Sequence, residues 1–475
     1  MKSTYKIIYI IISLCLIIFY VDYNFFYFQE KPDINVKLPS LILNNKQTRL
    51  LVFAPHCDDE TLGCAGVIQD VLKSGGQVLI VFITNGDGFT IATKEQFHRL
   101  FLTSEDYINS GYSRQIEASN ALRILGVTEN QAIFLGYPDR GLKTIWNDYW
   151  SISQPFRSRY TNSDHSPYTN TYQPNTPYVG EAVLENIEQI MLQFQPNLIL
   201  APHPADEHSD HATAWAFIAT AYLKLTIGSQ LPEAKFFTYL IHRDDFPIPH
   251  GYKNEALLLP PKPLYEADPK KWYTYQLNSD NQTIKEQSLK EYVSQLRVPI
   301  MSSLLYSFIR KNELFEEIYI PVLNEKTPNT DLSSIEAWFN QEPILFNPKG
   351  VNRLGALERK AKVVSIECYI KNNRIWLHYN IPEFSRKKNQ YQVSIIEFRL
   401  QGNKLNRQKK VYNFSTGDTS LSEEDIIRMQ DDVIIRLPNS QPLLPDFLFI
   451  QVDTKDKAGS LIDHTVWQPV RLQYK

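Results

Sequence analysis

Apolar positions in the first two thirds of the chain gather in short runs that alternate with longer stretches of helical spacing. Residues 50–54, 77–84, 133–135, 196–201 and 235–241 are apolar and short, as strands are. Between them, a stretch reaching about Lys73 and residues 113–126, 181–194 and 210–225 carry apolar residues at helical intervals, with Gly126 placed as a C-cap. The alternation predicts an α/β domain built on a Rossmann-like, mostly parallel sheet with right-handed crossovers. Residues 96–110 read as a mixed loop. Residues 143–179 are polar, aromatic and proline-dotted, and read as a long insertion, either shaping a groove or lying as a plain surface loop. A proline-rich connection at 260–269 precedes two further predicted helices, 284–296 and 304–315.

The pattern changes after Pro321. Residues 323–360 read as a linker. From Lys362 onward the runs VVSIECYI, RIWLHYNI, YQVSIIEFRL, VIIRL and FLFIQVD are separated by turn residues, which predicts an all-β, sandwich-like domain over 361–475. Its role is open between a carbohydrate-binding module and a stabilising accessory domain. At the other end, Lys2 and Lys6 precede the uncharged apolar residues 7–21, and an aromatic belt from Tyr20 to Phe28 follows. A cleaved signal peptide fits that length, but no small-residue cleavage site follows. Residues 1–28 therefore read as an uncleaved membrane anchor with the body of the chain extracytoplasmic, 29–45 as a spacer, and 46–322 as the α/β domain.

Length and charge narrow the classes. A chain of 475 residues exceeds the usual single domain, and a formal charge of -3 argues against a nucleic-acid partner. Four cysteines make no disulfide framework; Cys57 and Cys64, without CxxC spacing, read as small buried fillers.

The candidate chemistry stands at the ends of two predicted strands. After residues 50–54 come His56, Asp58, Asp59 and Glu60. His56 and Asp59 offer the imidazole nitrogen and carboxylate oxygen that zinc takes, and Asp58 is a spare carboxylate beside them, suited to act as a base. Glu60 is the residue assigned to helix capping and dipole charge. After residues 196–201 come His203, Asp206, His208, Asp210 and His211, a spacing that lets one imidazole bind metal while the other faces substrate.

These residues resemble the PIG-L/LmbE-like family of zinc-dependent N-acetylglucosaminyl deacetylases. The family's AHPDDE motif stands here as PHCDDE, residues 55–60, and its His-x-Asp-His motif as residues 208–211. Its Arg-x-x-Glu is matched by Arg114 and Glu117, and its Leu-Gly-x-x-Asp turn by Asp139. The likeness covers roughly residues 49–321. It implies one Zn2+ per chain, with Fe2+ as the alternative, held by His56, Asp59 and His211 with a position left for water. It implies Asp58 as general base, His208 oriented by Asp210 at the oxyanion, and Arg114 and Asp139 as substrate contacts. His203 and Asp206 would stand behind the ligands. The implied reaction is removal of an N-acetyl group from an N-acetylglucosamine-type conjugate, a lipid-linked sugar included. A degenerate glycan-binding protein and a zinc hydrolase of another amide or ester are the competing readings.

Overall fold

The computed structural model describes residues 36–43, 45–324, 345–346, 363–371, 374–382, 384, 389–417, 421–422, 425–429, 431–438 and 444–473. The predicted anchor, the first part of the spacer and most of the linker lie outside them. Among the described residues, no helix is long and apolar enough to cross a membrane.

Five strands form the parallel part of one sheet: β1 (Arg49–Ala54), β2 (Gln77–Thr84), β3 (Ala132–Tyr137), β4 (Leu198–Pro202) and β5 (Lys235–Tyr239). The antiparallel strands β6 (Trp272–Gln276) and β7 (Asn312–Glu317) extend it, giving the order β3-β2-β1-β4-β5-β7-β6. The chain leaves β1 outward through β2 and β3, then returns to β4 on the other side of β1. Parallel pairing sets Leu50 against Leu198 and Val52 against Leu200. The strand order therefore reverses between β1 and β4, and sheets of this kind open a crevice beyond the carboxyl ends of such a strand pair.

Alternate residues of β1 feed two cores. Leu50, Val52 and Ala54 pack with α1 (Asp59–Lys73) and α3 (Ser104–Leu125) on one face. Leu51 and Phe53 pack with α5 (Gly180–Phe194) and α6 (Ser209–Ile227) on the other. Both faces are buried, which explains why β1 reads as an unbroken apolar run.

Several helices depart from the predicted bounds for identifiable reasons. Only residues 98–103 of the predicted loop 96–110 are one: α2 (Thr90–Phe97) runs into it, and a capping box between Thr103 and Asp106 starts α3 at Ser104. The insertion opens with α4 (Leu142–Asp148), and the proline-rich connection holds α7 (Lys262–Ala267). The single helix predicted over 284–296 is two, α8 (Ser279–Leu289), capped by Asn278, and α9 (Val293–Leu296). The helix predicted over 304–315 is α10 (Pro299–Tyr306), started by its proline, followed by β7.

Helix α1 carries the first motif, and an ion pair pins it. Lys285 Nζ lies 2.9 Å from Glu313 Oε1, with both side chains buried. The lysine also donates to the Leu62 carbonyl at 2.7 Å, and Glu313 accepts from the Gly66 N–H at 2.8 Å. Leu62 and Gly66 are four apart, the carbonyl and amide that a regular helix pairs with each other. The pair thus grips the backbone of α1 at one turn. A Cβ at Gly66 would stand 3.2 Å from Glu313 Oε2 and 2.1 Å from Leu277 Cδ2, so glycine leaves room for both neighbours.

The C-terminal part is a sandwich of two sheets: one runs β14 (Ile426–Arg428), β15 (Asp432–Arg436), β11 (Arg374–Asn380), β10 (Ser365–Lys371), β9 (Leu345–Phe346), and the other β13 (Lys404–Phe414), β12 (Gln390–Gln401), β16 (Phe447–Lys455), β18 (Gln468–Gln473), β8 (Val322–Asn324), with β17 (Leu461–His464) beside β16. The span predicted as a linker contributes two short strands, β8 (Val322–Asn324) and β9 (Leu345–Phe346). Val393, Ile395, Leu448 and Ile450 fill the sandwich interior. Ile396, Phe398, Phe447 and Phe449 turn outward into the core that α5 and α6 share with β1.

Lys285→Met leaves Glu313 buried without its cation, a change that costs about 3–5 kcal/mol. It is expected to lower the thermal unfolding midpoint by more than Lys285→Met combined with Glu313→Gln, measured by calorimetry on the full chain.

Candidate metal centre and its carboxylate surround

The crevice between β1 and β4 receives groups from both strand ends. His56 follows β1, and its N–H donates to Asp59 Oδ2 at 2.8 Å, which folds the turn back on itself. Asp59 opens α1 and is fully buried. From the β4 side, His211 enters on the first turn of α6, also fully buried.

Three donor atoms converge. His56 Nδ1 lies 3.1 Å from His211 Nε2 and 3.5 Å from Asp59 Oδ2, and His211 Nε2 lies 3.2 Å from Asp59 Oδ2. A tetrahedral ion with bonds of 2.0–2.2 Å to nitrogen and oxygen would space its ligands about 3.3 Å apart. The three separations fit that figure. Asp59 Oδ1 is buried and has no hydrogen-bond partner among the described residues. Two imidazoles and a carboxylate in this arrangement suit a zinc-like cation.

Each imidazole has an anion on its far side. His211 Nδ1 lies 3.1 Å from Asp206 Oδ2. That oxygen also accepts from the Ile241 and His242 N–H groups at 3.1 and 3.0 Å, so the carboxylate is fixed. His56 Nε2 lies 3.4 Å from Asp139 Oδ1 and 3.6 Å from Asp210 Oδ2. With Nδ1 turned toward the other donors, Nε2 carries the ring proton, which these carboxylates orient. His56, Asp139, His208 and Asp210 also offer donor atoms close enough to hold an ion. With His56 Nε2 protonated, that group reads as the surround of the first.

The acids set the electrostatics. Burial alone would lower His211, but Asp206 and Asp59 push it up to about 9. Burial would raise Asp59, yet His211 and His56 hold it well below the usual carboxylate range. The crevice therefore favours positive charge at its centre.

Asp58 differs from its neighbour. Burial and Asp59 push it up to about 7, against the pull of Arg114. Arg114 Nη2 donates to Asp58 Oδ2 at 3.0 Å and to the Cys57 carbonyl at 2.9 Å, and Nη1 to the Gly86 carbonyl at 3.1 Å. Gly86 has φ 63°, and a Cβ there would stand 1.7 Å from Arg114 Nη1, so glycine is what admits the guanidinium.

The two expected substrate contacts are thus turned inward. Arg114 is buried and spends its donors on Asp58 and the strand-end carbonyls. Asp139 accepts from the Gly88 N–H at 2.9 Å and faces His56. Glu117 accepts from Ser294 N–H and Oγ at 2.8 and 2.7 Å, tying α3 to α9.

Other expectations shift in detail. The Asp210 carboxylate does not orient His208; it accepts from the Arg140 and Leu142 N–H groups, while the Asp210 N–H donates to His208 Nδ1 at 3.3 Å. Asp206 stands behind His211 as expected, whereas His203 pairs with Glu316 and stacks on Trp272, away from the donors. Glu60 is no surface helix charge. It is fully buried and accepts from Thr61 and Tyr292, and burial pushes it up to about 7. Cys57 and Cys64 are free and buried, as fillers should be.

Two residues were missed. His242, just past β5, brings a donor atom within 4.8 Å of those of His56, Asp59 and His211. Burial and His211 lower it to about 3, so it is neutral. Asp87, past β2, accepts from Tyr168 of the insertion at 2.6 Å and from the Asp139 N–H at 3.2 Å. Both close apolar runs at the carboxyl edge of the sheet, the position that was the available signal.

Asp206→Ala removes the anion behind His211. It is expected to weaken zinc binding about 10- to 100-fold, the usual effect of losing such a partner, measured by competition with a chromophoric chelator. Unchanged affinity would remove His211 from the ligand set.

With this geometry in hand, comparisons place the domain. The family model described as PIG-L: GlcNAc-PI de-N-acetylase matches residues 51–222. Among solved structures, the chain is similar to N,N'-diacetylchitobiose deacetylase from Pyrococcus horikoshii, at 17% identity over 62% of this chain and 92% of that one, with a TM-score of 0.36. It is similar to a deacetylase from the teicoplanin biosynthesis pathway, at 14% identity over 56% and 96%, TM-score 0.36. It is also similar to GalB, the 4-carboxy-2-hydroxymuconate hydratase from Pseudomonas putida, at 12% identity over 58% and 99%, TM-score 0.35. Residues 51–222 of this chain are a PIG-L family domain.

Proposed function

We propose that the protein is a zinc-dependent hydrolase that removes the N-acetyl group from an N-acetylglucosamine-type sugar conjugate. The observation that carries this reading is the triangle of His56, Asp59 and His211 donor atoms, 3.1–3.5 Å on a side, with the separate carboxylate of Asp58 beside it. The family of the domain supports the acetamido sugar as substrate class.

A divalent cation bound by those three residues supplies Lewis-acid polarisation of the amide carbonyl and acidifies a water. The protein's own groups handle the protons. Asp58, poised near 7 by burial and Asp59 against Arg114, takes the proton of the attacking water and passes it to the departing amine. Arg114 keeps that carboxylate ionised near neutrality. Burial and His56 lower His208 to about 4, so its ring is neutral at pH 7. Its Nδ1 accepts the Asp210 N–H, which leaves the proton on Nε2 as a donor for the carbonyl oxygen as that oxygen gains charge. Lys2 and Lys6 before the apolar residues 7–21 support an anchored chain whose catalytic body lies outside the cytoplasm.

Asp58→Asn is expected to retain one zinc per chain by elemental analysis while losing acetate release from N-acetylglucosamine conjugates. Retained turnover would exclude Asp58 as the base, and a zinc-loaded wild type that binds such sugars without releasing acetate would favour a binding protein. A second expectation concerns pH. Arg114 favours the Asp58 anion, so Arg114→Met raises that carboxyl and protonates the base at higher pH. The acid limb of kcat/KM should move up by about one to three pH units, read from the pH profile of the folded variant.

A further inference from the structure

The β-sandwich docks on α4, the short helix that leaves the crevice. At the start of α4 the chain makes a tight turn in which Arg140 adopts φ 58°, a left-handed conformation in a residue with a full side chain. Such a conformation is unfavourable and persists only where the surroundings enforce it. Here it aims the Arg140 N–H at the Asp210 carboxylate, and the Leu142 N–H reaches the same carboxylate at 3.2 Å. Asp210 Oδ2 lies 3.6 Å from His56 Nε2. The orientation of His56 therefore depends on where α4 begins.

What holds the far end of α4 comes from the other domain. Arg407 of β13 donates Nη2–H to the Trp146 carbonyl at 2.6 Å, one of the carbonyls at the C-terminal end of α4. Its guanidinium lies 4.5 Å above the centre of the Trp150 ring. Lys409, two residues on and on the same face of the strand, donates to Asn147 Oδ1 at 3.1 Å. Both cations sit where a helix C-terminus is negative. Trp146 is fully buried, against Phe217 of α6 at 4.9 Å and Phe449 of β16 at 5.5 Å. Helix α6 carries Asp210 and His211 in its first turn. The sandwich thus presses on α4 and on α6, two of the helices whose starts reach the crevice.

We infer that the β-sandwich is a brace for the metal centre, and that Arg407 is a positioning residue acting through α4, Asp210 and His56. The metal part of this inference rests on the zinc reading above. The brace itself does not.

The test uses the full chain and three proteins: wild type, Arg407→Ala and Lys410→Ala. Lys410 lies on the opposite face of β13 and pairs with Glu397 at 2.5 Å, so its loss perturbs the sandwich without touching α4. Amide exchange read by mass spectrometry on the peptide spanning residues 138–148 needs no metal. Exchange at least tenfold faster in Arg407→Ala, with the α1 peptide unchanged and Lys410→Ala like wild type, is the expected result. Zinc affinity, from chelator competition, should fall about tenfold in Arg407→Ala alone, within the range for residues that orient ligands. Equal exchange in Arg407→Ala and wild type overturns the brace. Faster exchange with unchanged zinc affinity overturns the positioning role of Arg407. A wild type that binds no zinc overturns the metal reading, and the exchange comparison still decides the brace.

Discussion

The structure is organised by the need to bury acids where water is scarce. Asp58, Asp59, Asp139, Asp206 and Asp210 all reach one crevice between β1 and β4 and are almost completely shielded from solvent. Taking such anions out of water is expensive unless positive charge and N–H donors surround them. Arg114, His56, His211 and the backbone N–H groups of His56, Gly88, Arg140, Leu142, Ile241 and His242 do so. The crevice still favours a cation at its centre, and the two imidazoles and Asp59 are spaced to take one. The parallel pairing of β1 with β4 is the scaffold condition, since it brings two loops about 150 residues apart in sequence to one edge.

Much of this was legible in the amino-acid order because the relevant signals are local. His56 and Asp59 close the loop after one unbroken apolar strand and His211 follows the loop after another, and their residue types are those of a metal site. The sheet itself was readable for the same reason. The surround was less legible. Which acid stands behind which imidazole depends on a turn such as that at Arg140, whose φ no composition announces. Arg114 looked like a residue that meets substrate, yet the absence of a side chain at Gly86 lets it sink beneath Asp58, a match of two distant positions that spacing cannot express. Glu60 looked like a helix-start charge and is instead enclosed by Tyr292, more than two hundred residues later. Helix starts were missed where the signal was a capping box, as at Thr103, rather than a run of apolar residues.

The buried pair of Lys285 and Glu313 illustrates how the second half of the domain supports the first. It spends its hydrogen bonds on the backbone of α1, one turn past Asp59 and Glu60, so the piece of chain that carries the first motif is held by residues from the antiparallel edge of the sheet and from α8. A β-strand and a helix that contribute nothing to the crevice thus fix the helix that opens it.

Strands β12 and β16 are covered on both sides, by the sandwich interior on one and by the α/β core on the other. The run FLFI, apolar without alternation, is the written trace of that double burial. A domain on a flexible tether sweeps a volume around its neighbour; this sandwich, packed through Ile396, Phe398, Phe447 and Phe449 into the α/β core, has no such freedom. Its outer sheet therefore keeps a constant offset from the crevice, as the arm of a jig does from the piece it holds.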